Sequence, residues 1–349
     1  YQVLCKKKKN FFFFFTTIKK CSKLALEVGG SIMLRIYKTM DEKGLFKEID
    51  KIEKGCWINL VDPSTQEINN IINAVKVNED FVKYALDIEE RARIDVEDNQ
   101  TLIIIDTPIV ESKRKEIRSD FATIPLGIIV VNDDYFITIC SQKIDILEEF
   151  YESKVKDFYT YKKTRFTLQI LYKIATYYLM YLKKINKETD KAEIKLQNDL
   201  RNEELMKLLS LEKSLVYFTT SLQSNELVME RLLRGSYLKL YEDDKDYLED
   251  AIIENKQAIE MVTITRDILS GTTNAYASII SNNLNIVMKF LASVTIVFSI
   301  PTIVSGIWGM NVKGIFFENN EYGFIIVIFI ALILSLLAYI WLKKKDMWK

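Results

Sequence analysis

The chain reads as a mixed α/β body, followed by long helices and a C-terminal two-helix membrane hairpin. Three observations predict this. Short runs rich in Ile, Val, Tyr and Phe recur between residues 33 and 140, bounded by turn residues. From about Lys143 to Asn285 the strand signal vanishes and helical periodicity persists without a proline. Two apolar runs, Phe290–Trp308 and Phe324–Leu342, are each close to the roughly 20 residues a helix needs to cross a bilayer.

Composition narrows the function classes. The 349 residues suffice for two or more domains. The 48 Lys and Arg balance the 48 Asp and Glu, and no basic stripe with interleaved aromatics occurs, so nucleic acid is not an expected partner. The absence of histidine excludes Ser-His-Asp and Cys-His catalytic sets and any His-containing zinc site. Cys5, Cys21, Cys56 and Cys140 show no C-x-x-C spacing, so reduced thiols are expected rather than a disulfide framework. No glycine precedes Lys-Ser or Lys-Thr, so a Walker A loop is missing. With no nucleophile–base pair either, neither an enzyme nor a cofactor is expected.

Residues 1–32 hold a Lys6–Lys9 run and a Phe11–Phe15 run, which imitate the start of a signal peptide without a cleavage site. The phenylalanine run is too short to span a bilayer. The expectation is that the natural chain starts at Met33 and that residues 1–32 are a non-native or disordered extension.

The α/β domain is expected over residues 33–160. Its strand candidates are Met33–Tyr37, Cys56–Leu60, Arg93–Val96, Thr101–Ile105, Pro125–Val131 and Tyr135–Cys140. Ser64 to Glu67 has the capping-box spacing, which starts a helix through Ile68, Ile71, Ile72 and Val75. Asp87 to Asp98 is densely charged. Clustered carboxylates can hold a metal, but a solvated loop or edge strand is the commoner cause.

Long helices are expected over 161–246 and a stalk helix over 247–289. Breaks are predicted near Tyr159–Lys163, Asn186–Asp190 and Gly235–Asp246. In the stalk, Leu248, Val262, Leu269 and Tyr276 form one heptad-like series and Ile252, Ile259, Ile280 and Val287 another, interrupted by Asn255, Arg266 and Asn283. The pattern fits a loose seam between copies and also the core-facing side of a single chain.

The first membrane helix with its end motif is placed at 290–311, a loop at 312–323, the second helix at 324–342 and a basic tail at 343–349. Lys289 precedes the first run, and Lys343, Lys344, Lys345 and Lys349 follow the second. The loop sets Lys313 against Glu318 and Glu321, so both termini are expected in the cytoplasm of a multi-pass inner-membrane protein. Trp308 and Trp341 suit the interfaces. The second helix is almost uniformly apolar and fits a lipid-facing role. The first carries Met288, Ala292, Thr295, Ser299, Thr302 and Gly306 on one face. From spacing alone, that face fits close helix packing as well as a pore lining. A pore would need several copies, since two helices enclose none.

Trp308-Gly309-Met310-Asn311, at the end of the first of two C-terminal apolar helices, resembles the signature of the CorA family of magnesium transporters. Arg266-Asp267-Ile268-Leu269-Ser270-Gly271, Asn285-x-x-Met288 and the lysine-rich tail strengthen the likeness. So do Trp57-Ile58-Asn59-Leu60 before Pro63, and Ala85-Leu86-Asp87 before Glu90-Arg91-Ala92-Arg93. The resemblance spans Met33 to the C-terminus. It implies a homopentamer with an α/β/α cytoplasmic funnel, a stalk helix continuing into a pore-lining first membrane helix, and a second helix in an outer ring.

The resemblance further implies Mg2+ as transported and possible regulatory ion, with Co2+ or Ni2+ as further cargo. Gly309, Met310 and Asn311 would form the outer selectivity ring, with Asn311 the ion ligand. Asn285 and Thr302 would give polar pore rings, Met288 and Leu291 an apolar constriction, and Thr295 and Ser299 further pore-lining positions. Glu318 and Glu321 would concentrate cations at the mouth. The family often has Met-Pro where Ser299-Ile300 stands here, with Pro301 displaced by one, which implies a wetter constriction. Where the family's regulatory site uses an Asp on the stalk, this chain has Asn274, with Asp87 as its implied partner. A neutral Asn predicts weaker inhibition by cytosolic Mg2+. Two other readings stay open: the same fold carrying Co2+, Ni2+ or zinc, and a membrane-tethered signalling or scaffold protein. The lack of histidine and the intact Gly-Met-Asn favour Mg2+.

Overall fold

A computed structural model describes residues 34–40, 46–110, 120–198, 202–235, 237–312, 314–317 and 321–345. The expected extension at 1–32, Met33, Lys313, Glu318 and Lys349 lie outside the described residues. The chain divides into two compact units, Tyr1–Leu269 and Ser270–Lys349.

The first unit is built on one seven-stranded sheet. Its strands are β1 (Leu34–Thr39), β2 (Phe46–Glu48), β3 (Trp57–Val61), β4 (Arg93–Glu97), β5 (Gln100–Val110), β6 (Phe121–Val131) and β7 (Tyr135–Cys140), in the order β2-β1-β3-β7-β6-β5-β4. Every neighbouring pair is antiparallel except β3 and β7, which run parallel. The charged stretch after Asp87 becomes a loop and then edge strand β4, and no metal-holding group of acids occurs among the described residues.

β5 runs past the expected end at Ile105, and β6 starts before the expected Pro125. The reason lies in one register pair, Asp106 opposite Pro125. The Asp106 N–H points away from β6 and donates to Asn225 Oδ1 at 2.8 Å. In such a non-bonded pair both residues direct their N–H positions outward. Pro125 therefore loses nothing toward β5, and on its other side the pairing with β7 has already ended at Leu126. Pro108 repeats the orientation of Asp106, beyond the reach of β4. Strand prolines are tolerated at such open positions.

Helices α1 (Thr65–Val75) and α2 (Glu79–Leu86) cover one face of the sheet, where Ile71, Val75, Phe81, Val82 and Ala85 pack with Ile58, Leu60, Ile137 and Ile139. The expected capping box opens α1: Ser64 Oγ accepts from the Glu67 N–H, and Glu67 accepts from the Ser64 N–H at 2.8 Å. The sequence reading missed α2, whose start rests on the short Asn78 cap. It also missed the three-residue β2. On the opposite face, Trp57 and Phe136 meet Phe150 of α3 (Asp145–Tyr151), Phe158, and Phe166 of α4 (Lys163–Asn198).

The predicted break at Asn186–Asp190 does not occur. α4 continues to Asn198 because its buried face continues through Ile185, Thr189, Ala192 and Leu196, and Glu188 pairs with Lys191 one turn on. The chain then enters α5 (Asn202–Arg234). α6 spans Glu242–Trp308, so its first part belongs to one unit and its end to the other. Leu248, Ile252, Val262 and Leu269 are buried within the single chain, so this stretch of the heptad-like series is a core face. The polar interruption at Asn255 is also buried and donates to the Leu222 carbonyl of α5 at 3.0 Å.

Candidate ion path

The second unit holds the end of α6, a loop, and α7 (Gly323–Lys344). Both helices are long and apolar enough to cross a membrane. Along α6, Val294, Val297, Ile300, Pro301, Val304 and Trp308 are half-buried and Ser293 is fully buried. On α7 the covered or half-covered residues are Gly323, Ile326, Val327, Ala331, Ser335, Ala338, Tyr339 and Leu342. These positions recur at helical spacing, so each helix turns one face to the other. Trp308 and Phe324 close the loop end with ring centroids 6.1 Å apart.

The face carrying the sequence-predicted residues points elsewhere. Asn285, Met288, Leu291, Thr295 and Thr302 are exposed and Ser299 half-exposed, with Met288 at 64% and Leu291 at 52%. A Cβ on Gly306 would meet open space, so the chain's own packing does not demand a glycine there. Apolar residues this exposed on a membrane-length helix call for lipid or another copy as cover.

The hydroxyls on this face share one geometry. Thr295 donates to the Leu291 carbonyl at 2.8 Å, Ser299 to Thr295 at 2.7 Å and Thr302 to Phe298 at 3.2 Å. A hydroxyl has one proton, and here the helix takes it. What remains facing outward is a column of lone pairs, which suits the outward-pointing hydrogens of a hydrated cation. Pro301 sits inside the same helix and removes one backbone donor.

Gly309 ends the helix with its N–H on the Ser305 carbonyl at 2.8 Å, and Met310 and Asn311 follow as exposed residues outside it. The Trp308 indole N–H donates to the Phe316 carbonyl at 3.3 Å, tying the loop back beside this motif. Gly323 allows the loop to pass, since a Cβ there would lie 2.4 Å from the Phe317 carbonyl oxygen. Sequence reasoning missed both ties; the only cue was an aromatic and a glycine flanking a short loop. Glu321 is exposed in that loop. Elsewhere, Asp87 is exposed at the end of α2, its Oδ1 accepting from the Glu89 N–H, and Asn274 is exposed on α6.

An α/β domain and two helices joined by a short loop, one of them the 67-residue α6 and each long and apolar enough to cross a membrane, fit the class of membrane proteins that carry an α/β domain. More specifically, the chain belongs to the CorA-like Mg2+ transporter protein family, whose family model matches residues 53–344. It is 27% identical over 302 residues to the cobalt/magnesium transport protein CorA of Methanocaldococcus jannaschii, covering 84% of this chain and 90% of that one. In fold it resembles the complete structure of the CorA magnesium transporter from that organism, with a TM-score of 0.75 at 24% identity over 92% of this chain and 100% of the other. The ZntB cytoplasmic domain from Vibrio parahaemolyticus shares the fold of the α/β part, with a TM-score of 0.55 at 12% identity over 72% of this chain and 98% of that domain.

Proposed function

We propose that the protein is a homopentameric channel that admits Mg2+ to the cytoplasm down its electrochemical gradient. The observation that carries this reading is the exposed face of α6, whose hydroxyls present only acceptors and which ends at Gly309-Met310-Asn311. Five copies arranged around that face would stack Asn285, Thr295, Ser299 and Thr302 as polar rings, Met288 and Leu291 as an apolar constriction, and Asn311 as the outer ligand.

Mg2+ sheds water reluctantly, so rings that hold it through its water shell avoid the cost of stripping it. Asn311 is uncharged and would bind without trapping. Apolar rings at Met288 and Leu291 would gate by dewetting. An inside-negative potential supplies roughly 4–5 kcal/mol per 100 mV for a divalent ion, so no nucleotide is needed. Both termini would lie in the cytoplasm and the loop with Glu318 and Glu321 outside. Asp87 and Asn274 would take the place of a regulatory metal pair, weakened by the neutral Asn.

A second reading, Co2+ as cargo, draws on the similarity to the Methanocaldococcus relative, a cobalt/magnesium transport protein; Ni2+ would belong to the same reading. Complementation separates the readings. Rescue of a Mg2+-uptake-deficient strain on low Mg2+ supports the first. Heightened Co2+ sensitivity without rescue supports the second, and neither effect argues for a tethered scaffold.

A further inference from the structure

The parallel strands β3 and β7 end side by side, with Val61 opposite Cys140, and their chains then part. After β3 the backbone turns at Asp62, whose φ is +45°, into α1 on one face of the sheet. After β7 it enters α3, whose Phe150 packs on Trp57 of the opposite face. Strands whose continuations leave to opposite faces open a crevice at their carboxyl ends, the favoured place for small molecules in α/β folds. A cavity of about 450 Å³ lies there.

Its lining contains donors with nothing to bind. Asn59 is only 4% exposed; its Oδ1 accepts the Thr138 hydroxyl at 2.9 Å, and its Nδ2 has no partner among the described residues. Ser141 Oγ is likewise buried and unpartnered. Buried polar atoms are rarely left so, and unsatisfied ones in a cavity point to a missing ligand. Arg35 stands directly opposite Asn59 in the β1–β3 register, so the two share a face. Its guanidinium bonds Tyr37 and lies 6.0 Å from the Tyr151 ring, with no ion pair among the described residues. Acids enter from other elements: Asp62 from the turn after β3, and from the end of α3 Glu152, whose Oε2 holds Lys154 at 2.6 Å and whose Oε1 carries no ion pair among the described residues. Lys143 and Glu148, also in the lining, pair with each other.

We propose that this crevice binds a small zwitterion of the free α-amino-acid class. The carboxylate sits on Arg35, Asn59 Nδ2 and Ser141 Oγ, and the ammonium on Asp62 and Glu152. A bare metal cation would leave the donors empty, and a dicarboxylate would meet the two acids. The site belongs to the α/β body and is independent of the transported ion.

The test is calorimetric titration of the full-length protein in detergent with the common L-amino acids as probes. At least one is expected to saturate with a Kd below about 1 mM, as a pocket with paired charges would give. Arg35→Gln should weaken it about tenfold or more, and Ser141→Ala, which removes a hydroxyl with no internal partner to lose, about threefold. Arg93→Gln, on the β4 edge, should leave binding unchanged. N-acetylation or amidation of the bound amino acid should each abolish it. The proposal is overturned if no probe saturates below about 10 mM, if both lining variants bind like wild type, or if the blocked derivatives bind as well as the free amino acid.

Discussion

The carboxamide of Asn225 grips the backbone of Asp106 twice, accepting from its N–H and donating to its carbonyl, each at 2.8 Å. The side chain thereby stands in for the missing strand where β4 has run out, and Tyr178 adds a hydroxyl to the same carbonyl at 3.1 Å. Through these bonds α4 and α5 are pinned to the open edge of β5.

The Asp106 side chain is half-buried at this junction, and the loss of solvent around its carboxyl pushes its pKa up to about 6, against a smaller lowering by Ser221. Its native value therefore lies above its unfolded value, and the native state holds the proton longer. Stability from this group is full below about pH 4, falls as pH rises through 6 and is flat beyond, a loss of roughly 2–3 kcal/mol. Asp106→Asn should remove that loss. The expected outcome is a melting temperature above wild type at pH 7, with the gap closing at pH 4. An equal gap at both pH values would contradict the account.

Gly127 makes a close approach that no other residue permits. A Cβ there would lie 2.3 Å from the Ala85 Cβ, where α2 crosses β6. Gly127→Ala should cost about 1–3 kcal/mol by overpacking. Adding Ala85→Gly should recover part of the loss, because the two sites share one contact. Denaturant unfolding of the single and double variants measures both effects.

The strands with β-branched, alternating runs were readable from the sequence, as was the Ser64–Glu67 cap, because each is a local pattern. The strand extensions past Ile105 and before Pro125 were not. Their prolines speak against a strand until the register shows that both point to open edges. The continuity of α4 through Asn186–Asp190 was hidden for a related reason. Polar residues there lie on the outer side of a helix whose inner side continues through Ile185 and Thr189. At the candidate ion path, residue types and spacing showed the small and hydroxyl face. Which side of α6 it occupies relative to α7 emerged only from the burial of Ser293 and the half-buried row from Val294 to Trp308.

If the proposed regulatory site includes Asn274, its neutral amide holds a divalent ion less tightly than a carboxylate would. Asn274→Asp should shift inhibition by internal Mg2+ to concentrations lower by about tenfold, in line with adding one charge to an oxygen site. Vesicle flux at graded internal Mg2+ checks this, and superimposable inhibition curves would contradict it.

In the proposed function, the exposed face of α6 and Asn311 form the path for hydrated Mg2+. The most direct test is Mg2+ influx into proteoliposomes under an inside-negative potential, comparing wild type with Asn311→Ala, Thr302→Val and, on α7, Ser335→Ala. Influx should fall by about tenfold or more in Asn311→Ala and severalfold in Thr302→Val, which loses an acceptor on that face, and stay near wild type in Ser335→Ala. Unchanged influx in both Asn311→Ala and Thr302→Val would place the path elsewhere.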